Sequence, residues 1–196
     1  MKVFSHYLRW RFGLEPPETQ TTERERACLS KHAANKRRLV EIGVWEGVTT
    51  KLLRTAMARD GILLAVDPFP VGRLGISFHQ RIARTEVGKI TRGKVKWIRE
   101  SGTEALREAH FQGIDHIDFI FIDGDHLFDA VRLDWTLWSP FVAPHGIVAL
   151  HDSRPTLARE IELAGSVVFT QRYVLSDPRF HFVDAVDSLT VVQRCA

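Results

Sequence analysis

Three short runs in this sequence are apolar almost without interruption: Gly61-Ile-Leu-Leu-Ala-Val66, Asp118-Phe-Ile-Phe-Ile122 and Gly146-Ile-Val-Ala-Leu150. A strand with one face in water alternates polar and apolar residues. A run with no alternation must be covered on both faces. Helix-type stretches separate these runs. In the one that follows Ile122, Leu127, Val131, Trp135, Trp138 and Val142 recur at helical spacing and predict a single buried stripe. Doubly buried strands alternating with amphipathic helices imply βαβ units, and hence a parallel sheet with helices on both sides.

The rest of the chain fits that frame. Thr22 with Glu25 three residues later is a capping box, opening a helix that should end between His32 and Ala34. Further strands are expected at 38–42 and 94–99. Helices are expected at 48–58, 78–90 and 103–109, with one more from about Pro155. Two adjacent strands, 180–186 and 188–194, close the chain. The Glu15-Pro-Pro-Glu18 stretch separates an aromatic N-terminal arm, residues 1–21, from one domain spanning 22–196. A length of 196 residues suits one such domain, with 44% hydrophobic and 26% charged residues.

Composition also narrows the function classes. No apolar stretch approaches the roughly 20 residues of a membrane helix, and the N-terminus lacks the apolar core of an export signal. Cys28 and Cys195 show neither a CxxC nor a local Cys/His zinc spacing, which predicts a reducing, cytoplasmic setting without a disulfide framework. The 27 basic and 24 acidic residues leave a net charge of +3, too small an excess to demand nucleic acid. No membrane partner is expected, and self-association is left open.

Parallel sheets bind ligands beyond the carboxyl ends of their strands, so the residues just past each strand matter most. After the first come Glu41, Gly43, Trp45, Gly47 and Thr49, where the glycines let backbone approach a ligand before a helix N-terminus. The spacing is GxxxG, neither the GxGxxG of nicotinamide enzymes nor a phosphate-binding GK[ST]. Trp45, inside this loop, is placed to line a pocket. Asp67 follows the second strand and suits either the ribose hydroxyls of an adenosine-containing ligand or a turn before Pro68. Ser101 and Gly102 follow the third, either beside an adenine edge or as a helix cap. Asp123-Gly-Asp125-His126 follows the fourth strand and His151-Asp152-Ser153 the fifth. Neighbouring strands would bring Asp123, His126, His151 and Asp152 into one small volume. The loop from Asp67 to Gly75, with Phe69, Arg73 and Leu74, reads either as a substrate lid or as an ordinary connection. Trp135 and Trp138 belong to the core stripe, and the basic run from Lys31 to Arg38 reads as a solvated helix end.

Together these segments resemble the class I S-adenosylmethionine-dependent methyltransferases, and among them the small-molecule O-methyltransferase group called methyltransferase family 24. VEIGVWEGVTT is similar to that family's ExGxxxGxS/T loop, LLAVDPF to its ribose-binding strand end, IDFIFIDGDHLFDAVRLD to its IFIDGDH hallmark, and VAPHGIVALHD to its LxPGGxxxxHD segment. The resemblance implies an α/β, doubly wound, mostly parallel seven-strand Rossmann-like sheet whose last strand is antiparallel. It implies that Glu41, Gly43 and Gly47 cradle the methionine moiety of S-adenosylmethionine, that Asp67 holds ribose, and that Ser101 and Gly102 face adenine. It further implies a divalent cation (magnesium, manganese or another transition metal) at Asp123, His151 and Asp152, with His126 as general base. The expected reaction is methyl transfer to a hydroxyl of a small molecule such as a sugar, polyketide or phenol. The alternatives are an RNA-modifying methyltransferase of the same fold and a protein that binds S-adenosylmethionine without turnover.

Overall fold

The computed structural model describes residues 2–72, 75–111 and 115–196, with backbone alone over 108–111. Arg73 and Leu74 of the expected lid lie outside the described residues. The chain order is α1 (Lys2–Arg11), α2 (Glu23–Ala33), β1 (Arg38–Ile42), α3 (Val48–Ala56), β2 (Ile62–Val66), α4 (Phe78–Gly88), β3 (Lys94–Ile98), α5 (Gly102–Phe111), β4 (Ile117–Ile122), α6 (Phe128–Trp138), β5 (Val142–Leu150), α7 (Gly165–Phe169), β6 (Phe180–Val186) and β7 (Leu189–Arg194).

The strands form one sheet in the order β3-β2-β1-β4-β5-β7-β6. Strands β1 to β5 are mutually parallel, while β7 runs antiparallel to both β5 and β6. This is the mixed seven-strand α/β sheet expected above. The apolar runs lack alternation because both parities are buried. Val40, Leu64, Ile120 and Val148 face Trp135 and Trp138 of α6. Leu39, Leu63, Phe119 and Ile147 pack with Leu29 of α2 and Leu53 of α3. No helix among the described residues is long and apolar enough to cross a membrane.

Three expectations are corrected. Leu127 does not join the α6 stripe: it is the N-cap residue, 68% exposed, and Val142 already belongs to β5. The helix expected from Pro155 begins only at Gly165. Before it, Thr156 and Arg159 pair backbone to backbone in a tight turn, and the Arg159 guanidinium is drawn to Asp152, so residues 155–159 do not form helical ladder bonds. Within the N-terminal arm, residues 2–11 form helix α1. It docks on α4 through Tyr7 and Phe78, whose rings are 4.8 Å apart, and through Trp10 Nε1 donating to Glu86 Oε1 at 3.0 Å.

Candidate active site

A cavity of about 510 Å³ opens at the carboxyl ends of β1, β2, β3 and β4. Its floor is the loop after β1, built on left-handed backbone at Gly43, Trp45 and Gly47, with φ of 91°, 49° and 77°. Gly43 cannot be replaced there, because a Cβ would fall inside the Asp123 carbonyl. Asp67 holds the loop shut from the β2 side. Its Oδ2 accepts the N–H groups of Val44 and Trp45 at 2.9 and 3.0 Å, while Oδ1 accepts that of Phe69 at 2.7 Å. The turn-forming role of Asp67 is therefore real, and the same carboxylate also faces the cavity.

Gly43, Trp45, Thr49, Asp67, Ser101, Gly102, Asp123 and His126 all line this space. Ser101 caps α5, its hydroxyl bonded to Glu104 Oε2 at 2.9 Å, and it lines the cavity as well. The expected residues Glu41, Gly47, His151 and Asp152 stand outside the lining. Gly47 starts α3 and packs against Ala83 of α4. Glu41 lies under the loop, fully buried, with Oε1 accepting the Thr49 hydroxyl and Oε2 without a partner. Burial pushes its carboxyl up to about 8, with the charges of Asp123 and Asp67 adding to the effect.

His151 sits directly behind the cavity wall with a fully buried side chain. Its Nδ1 is 2.9 Å from Asp123 Oδ1 and its Nε2 is 3.3 Å from Glu25 Oε2. Ionised carboxylates only accept, so this arrangement calls for a proton on both ring nitrogens. Burial opposes that charge, but the bonds to Asp123 and Glu25 outweigh it and raise the imidazole to about 10. Glu25 is held down to about 2: burial would raise it, and the bonds from His151, the Thr22 N–H and Ser188 prevail. Asp152 Oδ1 is engaged by Arg159, and its Oδ2 lies 3.6 Å from His126 Nε2.

This donor set does not fit the expected divalent cation. As arranged, both His151 nitrogens are engaged by carboxylates and Asp152 by Arg159, which leaves no ligand lone pair free for a metal. Buried Glu25 and part-exposed Asp123, the two carboxylates at His151, already have their counter-charge. The cavity itself suits a cationic, drug-sized ligand. Its volume falls within the roughly 300–1,000 Å³ of such sites, Ile42, Val44, Val66 and Pro68 give it apolar walls, and Glu18, Asp67, Asp123, Asp125 and Asp134 give it acidic ones.

Residues 40–153 match the family profile described as a methyltransferase domain. The chain belongs to methyltransferase family 24. This class I S-adenosylmethionine-dependent methyltransferase shares its fold with an O-methyltransferase from Bacillus cereus solved with S-adenosylhomocysteine (TM-score 0.64, 17% identity, covering 99% of this chain and 91% of that one). It also resembles TomG of Streptomyces achromogenes, an O-methyltransferase of tomaymycin synthesis solved with S-adenosylmethionine (TM-score 0.67, 14% identity, 100% and 91%). A curated relative, the Sinorhizobium fredii protein y4gI, is 26% identical over 129 residues; that match covers 62% of this methyltransferase but 14% of y4gI.

Several lining residues carry no local signal of their role. Glu18, Thr19 and Gln20 reach the cavity from the segment before α2. Asp134 on α6 lines it too, and burial, with Asp125 adding, raises its carboxyl to about 6. Asp134 is the closing acid of the IDFIFIDGDHLFDAVRLD segment, which was the available clue. Glu25 read only as half of a capping box. That box is present, and the same carboxylate turns inward to His151.

Proposed function

We propose that this methyltransferase moves the methyl group of S-adenosylmethionine to a hydroxyl of a small molecule, with His126 taking the hydroxyl proton. The observation that carries the reading is His126 on the wall of the cavity that also holds Gly43, Asp67 and Asp123, with the Asp152 carboxylate 3.6 Å behind its Nε2. The solved relatives with S-adenosylmethionine or S-adenosylhomocysteine support the same donor.

When bound, the donor supplies an electrophilic methyl on a sulfonium. The acidic walls of the cavity favour that positive charge, and the glycine loop lets the methionine end lie against backbone. Asp67 Oδ1 has accepting capacity beyond the Phe69 N–H for a ribose hydroxyl. Asp152 Oδ2, 3.6 Å from His126 Nε2, favours a proton on that nitrogen, which leaves Nδ1 to remove the acceptor proton. Asp152, anchored by Arg159, then steadies the imidazolium. Asp123 is oriented by His151 on the cavity wall, its charge partly offset by that ring. Alignment supplies much of the acceleration in such a displacement.

The test is turnover on a panel of sugars, polyketides and phenols with S-adenosylmethionine. His126→Ala should cut kcat by ~10²–10⁴-fold while donor affinity by calorimetry stays near wild type. Undiminished turnover in both His126→Ala and His126→Asn would remove the assigned base. Activity should survive EDTA, since no step of this reading runs through a metal.

A further inference from the structure

Away from the cavity, α2 and β6 bring together a thiol, an imidazole and a carboxylate. Cys28 and His32 are one turn apart on α2 and project from the same helix face. Asp184 comes from β6, just past the register shift between Phe182 and Asp184 that re-aims the edge strand. His32 Nε2 lies 3.1 Å from Asp184 Oδ2, and the Lys31 ammonium lies 3.0 Å from the same oxygen. The Cys28 sulfur, a His32 ring nitrogen and an Asp184 oxygen all fall within 4.8 Å of one another. Cys28 is buried, whereas the His32 and Asp184 side chains are 10% and 27% exposed, so an ion can enter from the solvent side.

We propose that Cys28, His32 and Asp184 form a binding site for a zinc-class divalent cation, with water in the fourth position. Thiolate and imidazole select zinc or cobalt over magnesium or calcium, and three protein ligands of this kind suit tetrahedral coordination. Binding involves no change of oxidation state. The Cys28 thiol releases its proton to solvent as the sulfur–metal bond forms, and neutral His32 gives its Nε2 lone pair. The Asp184 oxygen exchanges the Lys31 ammonium for the metal, and Lys31 stays charged in water. The ion would clip α2 to the sheet edge, one turn beyond Glu25. The sequence holds only the Cys28–His32 half of the site at local spacing, because Asp184 stands 152 positions after His32.

Cobalt(II) titration of the metal-free full chain tests this. One equivalent should bind with a thiolate-to-cobalt charge-transfer band in the near ultraviolet, and zinc should displace it. Cys28→Ser should abolish the band, while His32→Ala and Asp184→Asn should each weaken binding by roughly tenfold or more. Asp184 is on an edge strand and partly exposed, so Asp184→Asn gives a reading even if the buried Cys28→Ser fails to fold. The competing thiol is Cys195, exposed and 3.8 Å from His181 Nδ1, and Cys195→Ser should leave the titration unchanged. The proposal is overturned by absence of the band in wild type, by its loss in Cys195→Ser, by its survival in Cys28→Ser, or by wild-type affinity in Asp184→Asn.

Discussion

Both nitrogens of the buried His151 ring are held by carboxylates, so its charge and its neighbours' charges stand or fall together. Removing one partner of a buried ion pair leaves the other uncompensated, at a cost of about 3–5 kcal/mol. His151→Gln should lose about that much stability by denaturant unfolding near pH 6. The folded imidazole titrates at about 10 against 6.5 unfolded, so the stabilisation is complete below 6.5 and fades as pH rises toward 10. The gap between wild type and variant should narrow over that window; a constant gap would mean that the ring is not charged. Glu41 behaves as the opposite kind of residue, a buried acid with one unpaired oxygen. Its carboxyl titrates at about 8 against 4.5 unfolded, so wild-type stability should decline between those values. Glu41→Gln should remove that part of the slope in a series of melting curves. Neither environment was legible in the sequence. Strand-end position marked both residues for a ligand, yet their partners Glu25, Thr49 and Asp123 come from three other segments, and the resulting contacts turn them away from the cavity.

At the level of elements, α2 depends on one hydroxyl. Thr22 accepts the Glu25 N–H at 3.1 Å and donates to Asp187 at 2.6 Å. Thr22→Ala should cost about 1 kcal/mol as a cap, measured as a shift in denaturant midpoint. Because the same turn fixes Glu25, donor affinity should fall with it, which a cap on an isolated surface helix would not produce. The loop after β1 is stiffer still. Gly43→Ala must displace the Asp123 backbone, and donor binding by calorimetry should fall beyond detection even where the protein remains folded. Asp67→Ala should weaken donor binding by about 1–3 kcal/mol, part of it through release of the Val44 and Trp45 amides. Helices and strands of the parallel core could be read because burial on two faces leaves a continuous pattern in the residues. The segment before α7 could not, since its course follows from Arg159 reaching Asp152, a pairing that propensity does not encode.

Across the whole molecule, the N-terminal segment is a wall of the cavity. Glu46, fully buried under the glycine loop, accepts from the Glu18 N–H at 2.6 Å and pairs with His6 and His79 at 3.0 and 3.1 Å. Deleting residues 1–14 removes His6 and should weaken donor affinity by about 1–3 kcal/mol while the parallel core keeps its circular-dichroism signature. Unchanged affinity would make α1 an independent appendage. The parallel, doubly covered character of the sheet was legible because buried strands alternating with helices obey general rules of handedness and burial; the strand order and the folding back of residues 15–20 over the strand ends were not. The bonds from the Ser188 N–H and hydroxyl to Glu25, at 2.8 and 2.7 Å, carry a consequence in time. At the usual pace of translation, roughly 5–20 residues per second, Glu25 leaves the ribosome on the order of ten seconds or more before Ser188 does. Until then the nascent chain already holds the lining residues of the cavity, but the carboxylate behind His151 lacks its last partners. The ribosome therefore sets when the support behind that cavity wall is complete.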